Sequence, residues 1–501
     1  HDVIRNLNTT SAGPDGISPT NVKIIAHAVS DILSSIINLA FKTGIFPVEL
    51  KSGKVVPVLK KGDRTQIFNY RPICIIPFFS KVFEKLLENR LSKYLHKFQV
   101  LSLSQFGFRQ DYSTELALLS LTEKLKRAID KGLYAGSVFI DFTKAFDTIN
   151  HYILFLKLEA IGVTGPALML IKNYLLNRSQ VVSLSGFQST PKVTNIGVPQ
   201  GSILGPLLFI IYINDLPTSL TTSESLLYAD DTTIINTDKC LRSLTQKLNN
   251  DLSSLTAWCF HNKLQINPTK TKFVVFHSHQ REHNHIPPIF INQFAIEADE
   301  EATFLGIQLD RNLKFLSHIA LLRRKMAYGI RVLLKARDIF SQPTLLSLYY
   351  AFIHSHLNYC ITSWGNTYSS HLVFLQTMQN QSIRILTHSH HRCNAIALLQ
   401  ANNILTVCDT FKYKLGILLY KQINNLLPVS IIPPSNLVNT NLTRFAHNRN
   451  LILPRVQNNY GKQTIYFNGI HFWNNIPPAI KTSQSIGKFK KELKTFLSSH
   501  S

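Results

Sequence analysis

Residues 226–236 form an apolar stretch that is interrupted at its middle by two acids, Asp230 and Asp231. Neighbouring side chains on a regular strand point to opposite faces of a sheet, so these two carboxylates can approach one site only if they lie at a turn. The apolar arms on either side of the pair therefore predict a β-hairpin with an acidic tip. A second stretch of strand type, residues 136–142, carries Asp141 near its end. Because an unpaired charge at the end of a buried strand is costly, all three acids are candidate functional residues.

The chemistry of these acids favours a divalent metal site. A bound cation removes the cost of burying carboxylates, and Mg²⁺ prefers oxygen ligands of this kind. Two metal ions ~4 Å apart are a common device for in-line phosphoryl transfer. An isolated Asp-Asp pair is more often a solvated turn, however. Asp147 is either a further ligand or, in the better reading, a residue that starts a helix.

Positive charge is concentrated in the last third of the chain. The net charge is +24, and residues 311–501 contribute +19 of it, from 22 basic and three acidic side chains. This excess indicates a polyanionic partner, of which nucleic acid is the commonest. A basic but inert surface is the alternative.

The composition is that of a folded chain of several domains, with 45% apolar and 16% charged residues among 501. No apolar run reaches roughly 18 residues, so no membrane span is predicted. The six cysteines contain no CxxC pair, which favours a reduced, intracellular protein over a disulfide scaffold. The sequence begins at His1 without a leader-like segment, and we expect it to be a fragment of a longer polypeptide.

The spacing of apolar residues predicts the helices and strands. Helices are predicted over residues 82–98 and 116–129, a loop over 277–288, and further short strands over 289–296 and 302–309. Beyond residue 310 the pattern is helical as far as about residue 427, and a lysine-rich amphipathic helix is predicted over 486–497. This mixture indicates an α+β fold.

Two other binding motifs are incomplete. Residues 58–65 contain adjacent lysines but lack the glycine spacing of a phosphate-binding P-loop. Three histidines and two cysteines lie between residues 388 and 408, but no CxxC or HxxxH element is present. Surface histidines are therefore favoured over a zinc site.

Several motifs occur in the order that is typical of one enzyme family. The most specific are residues 139–149 (FIDFTKAFDTI), 197–206 (GVPQGSILGP) and 228–231 (YADD). They are accompanied by residues 13–16 (GPDG), 55–63 (VVPVLKKGD), 69–73 (NYRPI), 105–109 (QFGFR), 267–272 (NPTKTK) and 304–307 (FLGI). With these motifs the chain resembles the reverse transcriptases of non-LTR (LINE-type) retrotransposons.

The resemblance implies that Asp141, Asp230 and Asp231 hold two Mg²⁺ ions, with Mn²⁺ as a substitute. One ion would activate the primer 3′-hydroxyl, and both would stabilise charge on the transferring phosphoryl group. This agrees with the chemistry inferred from the acids alone.

The resemblance also implies roles for basic residues. Lys60, Lys61 and Arg71 match a segment that clamps the triphosphate, where Arg forks onto phosphate oxygens and Lys acts as a point charge. A solvated basic loop is the alternative. Lys270 matches the lysine that protonates the departing pyrophosphate, and Lys272 competes for that role.

Three further residues match positions beside the incoming nucleotide. Phe146 falls on the steric gate, an aromatic ring that blocks a nucleotide 2′-hydroxyl; ordinary core packing is the alternative. Gln200 and Gly201 match the motif that lies against nucleotide and template, where glycine permits close backbone approach.

The implied fold is a right-hand polymerase. We expect an N-terminal extension over residues 1–40, fingers and a palm with an antiparallel sheet over 41–310, a basic helical thumb region over 311–427, and a C-terminal region over 428–501. Arg323, Arg324 and Lys325 cannot all be buried on one helical face, and we expect them to bind nucleic-acid phosphates.

The implied function is RNA-directed DNA synthesis, in the nucleus and cytoplasm. Its partners would be an RNA template, a DNA primer or target, and deoxynucleoside triphosphates, without a membrane. We expect the fragment to lack the family's upstream endonuclease. The alternatives are a viral RNA-dependent RNA polymerase, which Phe146 and the YADD motif disfavour, and a catalytically dead copy that binds nucleic acid at most. The three intact acids disfavour the dead copy.

Overall fold

The computed structural model describes residues 1–8, 11–60, 62–281, 285–431 and 449–499. Its strands are β1 (Ser52–Leu59), β2 (Tyr70–Ile75), β3 (Tyr134–Ile140), β4 (Arg178–Leu184), β5 (Phe187–Gln188), β6 (Lys192–Thr194), β7 (Glu224–Tyr228), β8 (Asp231–Asp238), β9 (Lys272–Phe276), β10 (Ile289–Ile291), β11 (Phe294–Ile296), β12 (Glu301–Phe304) and β13 (Ile307–Asp310).

Helices of the first 310 residues are α1 (Asp2–Asn6), α2 (Pro19–Ile24), α3 (Ala26–Thr43), α4 (Phe78–Lys97), α5 (Thr114–Asp130), α6 (His151–Ala160), α7 (Gly165–Leu175), α8 (Gly205–Tyr212) and α9 (Leu241–His261). Those that follow are α10 (Leu316–Ala336), α11 (Gln342–Tyr349), α12 (Ser355–Asn358), α13 (Ile361–Trp364), α14 (Ser369–Leu386), α15 (Ala395–Ala401), α16 (Val407–Ile423), α17 (Asn459–Lys462), α18 (Ile470–Asn475), α19 (Pro478–Lys481) and α20 (Ile486–Ser499).

An antiparallel sheet with the strand order β7-β8-β3-β9 separates two hydrophobic cores. Every residue of β3 is buried, and successive side chains alternate between the two sides. Ala135 and Phe139 pack into the core formed with α5 and the helices after residue 310. Val138 and Ile140 pack into the core that contains α4, α7, α8 and α9. The sheet therefore joins the two halves of the molecule.

A second sheet, of strand order β2-β1-β4-β5 with β6 paired to β4, lies in the region predicted as fingers. β1 and β4 run parallel, whereas the other neighbours are antiparallel. Strand β2 is connected to α4 by the short turn at Pro77, which precedes the helix. The free edge of the second sheet, β2, lies against residues 200 and 201, because the N–H of Cys74 bonds to the carbonyl of Gln200.

The C-terminal region docks onto α5 through two acids. The Asp130 carboxylate accepts hydrogen bonds from the backbone N–H groups of Gln457 and Asn458, at 2.9 and 2.8 Å. The Glu123 carboxylate accepts from the N–H of Ile465 at 2.7 Å. Helices α10–α20 therefore share one core with the central sheet instead of forming an independent lobe.

The predicted helices over 82–98, 116–129 and 486–497 are confirmed as α4, α5 and α20, and the helical pattern beyond residue 310 is confirmed as well. The short strands predicted over 289–296 and 302–309 are confirmed as β10–β13, and each stretch is a tight hairpin of two strands. Of the predicted loop 277–288, residues 282–284 lie outside the described residues, and the others form neither helix nor strand. Across the described ranges, no helix has the length and apolar character needed to cross a bilayer.

Candidate active site

The acidic tip predicted from sequence is confirmed as the turn between β7 and β8. Tyr228 pairs with Asp231, so Ala229 and Asp230 form a two-residue loop. Ala229 has a φ of +55°, the left-handed backbone that such tight hairpins require. The turn thus brings both carboxylates to one end of the sheet.

The side chain of Gln105 holds this turn in place, although the sequence motifs predicted no role for Gln105. Its buried side-chain oxygen accepts hydrogen bonds from the N–H groups of Ala229, at 3.1 Å, and Gly107, at 2.8 Å. The chain on either side of Gln105 pairs with Leu227 through two backbone hydrogen bonds. A glutamine in an apolar segment can indicate a buried side chain that holds the backbone. The sequence does not show which segment it holds, because Ala229 lies 124 positions away.

The third acid lies beside the turn because of the strand register. Ile140 pairs with Thr232, so Asp141, one residue further, is brought next to Asp231. The Asp141 backbone carbonyl accepts from the N–H of Asn267 at 2.8 Å, which fixes the exit of β3. All three predicted acids therefore meet at one end of the central sheet.

Mutual repulsion marks this end of the sheet. Surrounding protein and the neighbouring carboxylates Asp230 and Asp141 raise the pKa of Asp231 to about 6. Partial desolvation by the surrounding protein and the charge of Asp141 also raise the pKa of Asp230, against the opposing charges of Arg71 and Lys60. Although Asp230 and Asp231 remain reachable by solvent, a negative cluster of this kind favours a cation.

The donor set fits a hard divalent metal, although the described part of the chain contains no group of three or more His, Cys, Asp or Glu side chains arranged around a metal position. Mg²⁺ is commonly held by one or two carboxylates and completes its shell with water and substrate phosphates. Asp141, Asp230 and Asp231 supply oxygen donors of this type at adjoining strand ends.

Two basic side chains of the second sheet face the acids. Arg71 lies in β2, opposite Val58, and Lys60 follows β1, its N–H bonded to the carbonyl of Asn69 at 2.9 Å. Both lower the pKa of Asp230 through their charge, which puts them within electrostatic reach of the turn. Lys61 lies outside the described residues.

The two candidate lysines after the hairpin are separated by their contacts. The ammonium of Lys270 lies 3.9 Å from the Asp141 carboxylate, with both side chains largely exposed. The ammonium of Lys272 instead pairs with Asp299 at 2.7 Å. Of the two, only Lys270 pairs with one of the three candidate acids.

Phe146 follows Asp141 by five residues and is half-buried. One face of its ring stacks on Phe209 of α8, with ring centres 4.5 Å apart. Its carbonyl accepts from the N–H of Val198 at 3.0 Å, which ties it to the loop containing Gln200. Part of the Phe146 side chain stays accessible to solvent. It can therefore pack on Phe209 and still contact a bound nucleotide.

Asp147 and Gln200 form a hydrogen-bonded pair. The Gln200 amide donates to the Asp147 carboxylate at 2.8 Å, and burial raises the pKa of that carboxyl. Asp147 ends a short 3₁₀ turn. A cavity of about 360 Å³ opens beside the pair and is lined, among others, by Arg178, Gln180 and Asn195.

Position 201 requires glycine, because the loop approaches the backbone of β2 closely there. The φ of Gly201 is +127°, and a Cβ there would lie 2.6 Å from the carbonyl oxygen of Cys74. The carbonyl of Gln200 in turn accepts from the N–H of Cys74 at 2.7 Å. The loop therefore lies directly against β2.

The remaining candidates lie elsewhere. Arg323, Arg324 and Lys325 are all exposed on α10, and the Arg323 guanidinium lies 4.6 Å from the centre of the Phe374 ring. His388, His390, His391 and Cys393 are exposed, which agrees with their interpretation as surface residues.

Residues 58–309, half of the chain, match the family described as reverse transcriptase (RNA-dependent DNA polymerase). Similar curated proteins are a probable RNA-directed DNA polymerase from transposon X-element of Drosophila melanogaster (28% identity, 77% of this chain, 43% of the relative) and one from transposon BS of the same species (29%, 79% and 45%). The RNA-directed DNA polymerase from mobile element jockey of Drosophila funebris is 29% identical over 74% of this chain and 41% of its own length.

The chain thus spans less than half the length of these relatives. Among solved structures, apo telomerase from Candida Tropicalis aligns with a TM-score of 0.40 and 13% identity, over 79% of this chain and 73% of the other.

Proposed function

Since this chain belongs to the reverse transcriptase (RNA-dependent DNA polymerase) family, we propose that it copies retrotransposon RNA into DNA by adding deoxynucleotides to a primer 3′-hydroxyl. The names of its relatives, RNA-directed DNA polymerases of mobile elements, support this activity. The observation that carries the proposal is the meeting of Asp141, Asp230 and Asp231 at one end of the central sheet.

Reverse transcriptases generally use divalent metal ions, and we assign two Mg²⁺ ions, with Mn²⁺ as a substitute, to these three acids. Bound ions of this kind activate the primer hydroxyl and offset charge on the transferring phosphoryl group. The protein contributes a turn held by Gln105 and a strand exit held by Asn267, so the carboxylates are oriented before substrate arrives.

At the substrate side, we assign the triphosphate to Lys60, Lys61 and Arg71, because the charges of Lys60 and Arg71 reach the acidic turn. Lys270 is assigned to hold the proton for the leaving pyrophosphate, because it contacts Asp141.

The sugar and base of the nucleotide would lie against three residues. Phe146 is assigned to exclude the 2′-hydroxyl, and Gln200 and Gly201 to line the base and template. Their shared loop contacts support this grouping: Val198 links the loop to Phe146, and Cys74 links it to β2.

The partners would be an RNA template, a DNA primer or target, and deoxynucleoside triphosphates. Residues 311–501, with a net charge of +19, are suited to contact nucleic-acid phosphates. Within this region, we assign Arg323, Arg324 and Lys325 to such contacts because all three are exposed.

Primer extension on a primed RNA template tests the proposal. Purified protein with Mg²⁺ and deoxynucleotides should lengthen the primer, and the Asp230→Asn variant should not. Binding of the same primed template without extension by the parent protein would instead identify a dead copy that only binds nucleic acid. Efficient extension with ribonucleotides in place of deoxynucleotides would contradict a DNA polymerase.

A further inference from the structure

A carboxylate is completely buried beside the loop that contains Gln200 and Gly201. Glu84 lies in α4 and has no exposed surface. Burying a carboxylate without partners is strongly unfavourable, so its contacts identify what it is there to hold. The Glu84 side chain plays no part in the metal or triphosphate sites described above.

The partners of Glu84 lie on the chain just after Gly201. One carboxylate oxygen accepts from the N–H of Ile203 at 2.7 Å, and the N–H of Leu204 is a further donor. Leu204 directly precedes α8, so the negative charge also lies at the positive end of that helix dipole. The carboxylate therefore holds the end of the loop and the start of α8 together.

Two more residues hold Glu84 in place. The Tyr174 hydroxyl donates to its other oxygen at 2.7 Å, and the Arg178 guanidinium supplies a neighbouring positive charge. Tyr174 is fully buried and Arg178 nearly so. Since every carboxylate oxygen is engaged, Glu84 has one defined position.

The beginning of the same loop is fixed from the opposite side. The carbonyl of Gln200 accepts from Cys74, and Gly201 lies so close to Cys74 that no side chain fits there. Residues 200–204 thus form a short bridge, with one end on β2 and the other on Glu84. Movement at either end would displace the Gln200 side chain and its bond to Asp147.

We infer that Glu84 is a positioning residue, which fixes residues 200–204 through the N–H groups of Ile203 and Leu204 and thereby sets where Gln200 and Gly201 meet the incoming nucleotide. The inference rests on the proposed polymerase function. We expect Glu84 to affect nucleotide binding and not metal binding, because it contacts the loop and none of the residues assigned to the metals.

The Glu84→Gln variant tests it, because the amide keeps the shape but removes the negative charge. Its oxygen can accept from the N–H of Ile203 only as a neutral group, and its NH2 takes the place of the oxygen that accepts from Tyr174. We expect the KM for deoxynucleotides to rise by roughly tenfold, the size of one lost charge-assisted hydrogen bond. The kcat and the affinity for primed template should stay near those of the parent. Hydrogen exchange of the amides of residues 200–204 should become faster.

Asp251→Asn is the matched control. Asp251 is another fully buried carboxylate, and it accepts from the N–H groups of Thr221 and Ser223, far from residues 200–204 in the chain. This variant should lose comparable thermal stability without a change in KM or in exchange at the loop. If Glu84→Gln fails to fold, Tyr174→Phe, which removes one donor to Glu84, should raise the KM in the same direction by a smaller factor.

Unchanged exchange at residues 200–204 in a folded Glu84→Gln protein would overturn the inference, whether or not the parent polymerises. A parental KM in that variant, or an equal rise in the Asp251→Asn control, would overturn it as well. A parent that binds primed template but extends nothing would overturn the proposed function, and the exchange experiment would still decide the role of Glu84.

Discussion

At the scale of single residues, the acidic turn gives the most direct test. Asp230→Asn preserves the shape of the side chain but removes a negative charge, so we expect deoxynucleotide incorporation to be abolished and template affinity to be unchanged. Asp141→Asn should behave alike, and the double variant should be no worse than either single one, because both acids act as one unit. Single-turnover extension and a filter-binding assay measure the two quantities. Clear polymerisation by Asp230→Asn would remove this acid from the metal site.

Phe146→Val tests the steric gate. A smaller side chain leaves room for a 2′-hydroxyl, so ribonucleotide incorporation should rise while deoxynucleotide use falls only modestly. Competition between the two nucleotide types in one primer-extension reaction measures the ratio. The alternative is that Phe146 only packs in the core, since its ring stacks on Phe209. A variant that rejects ribonucleotides as strongly as the parent would show that Phe146 is a packing residue.

The buried imidazole of His318 should make the stability of the fold depend on pH. It is buried against Trp364, and neither ring nitrogen has a hydrogen-bond partner among the described residues. Burial, helped by the charge of Lys325, lowers the pKa of His318 to about 4. The unfolded chain therefore takes up the proton first, and stability is lost as the pH falls from 6.5 towards 4.

Replacing this histidine should remove that dependence. Between pH 7 and pH 4.5, the parent should lose about 2 to 3 kcal/mol more of its free energy of unfolding than His318→Leu does. Urea unfolding followed by tryptophan fluorescence at both pH values measures the difference. Equal losses in the two proteins would mean that His318 already finds a partner, such as water, that the protonated ring retains.

Sequence patterns identified the acids but not the residues that hold them. Asp230 and Asp231 stand out because charge inside an apolar run has few explanations. Gln105 and Glu84 become meaningful only through partners more than a hundred positions away. Such contacts follow from tertiary packing, and a single sequence gives no distance between Glu84 and Ile203.

At the scale of single elements, α10 carries the clearest prediction about nucleic acid. Reversing Arg323, Arg324 and Lys325 to Glu should lower the slope of log K against log salt by about 2 to 3 units, because each phosphate contact contributes roughly 0.7 to 0.9. Sequence preference should change little. Titration of a labelled primed template at several salt concentrations gives the slope.

Reversal of Lys488, Lys490 and Lys491 on α20 changes the net charge by the same amount and serves as the control. A slope reduced only by the α10 reversals would identify a local contact. Equal reductions in both variants would mean that overall charge, and not this helix, sets the salt dependence. A parental slope in the α10 variant would remove the three residues from the binding surface.

Elements with strong periodicity were predictable, and so was the turn marked by Asp230 and Asp231, whereas tight turns that no charge marks were not. Helices α4 and α5 follow a 3.6-residue pattern that few other structures produce. The turns within 289–296 and 302–309 were not predicted, because a turn of only two residues barely interrupts an apolar run. In the structure these turns contain Asn292 and the Leu305-Gly306 pair, with positive φ values of +53°, +45° and +81°.

At the scale of the whole molecule, the shared core makes the C-terminal third part of the fold. A chain ending after Asp310 would expose the face of α5 that packs against helices α10–α20. We therefore expect such a truncation to lose cooperative unfolding and to aggregate. Size-exclusion chromatography and circular dichroism test this. A soluble, monomeric and cooperatively melting fragment would show that the first 310 residues fold alone.

The strand order of the central sheet also determines when the site can exist during synthesis. Its neighbours are drawn from residues 134–140, 224–238 and 272–276, so the pairing has a high contact order and is expected to be slow to form. A ribosome adding about 5–20 residues per second needs roughly 7 to 26 seconds to proceed from Asp141 to β9. Until β8 has been translated, β3 lacks both of its strand neighbours, and its apolar residues are open to chaperones. The central sheet therefore cannot be complete before residue 276 has been translated.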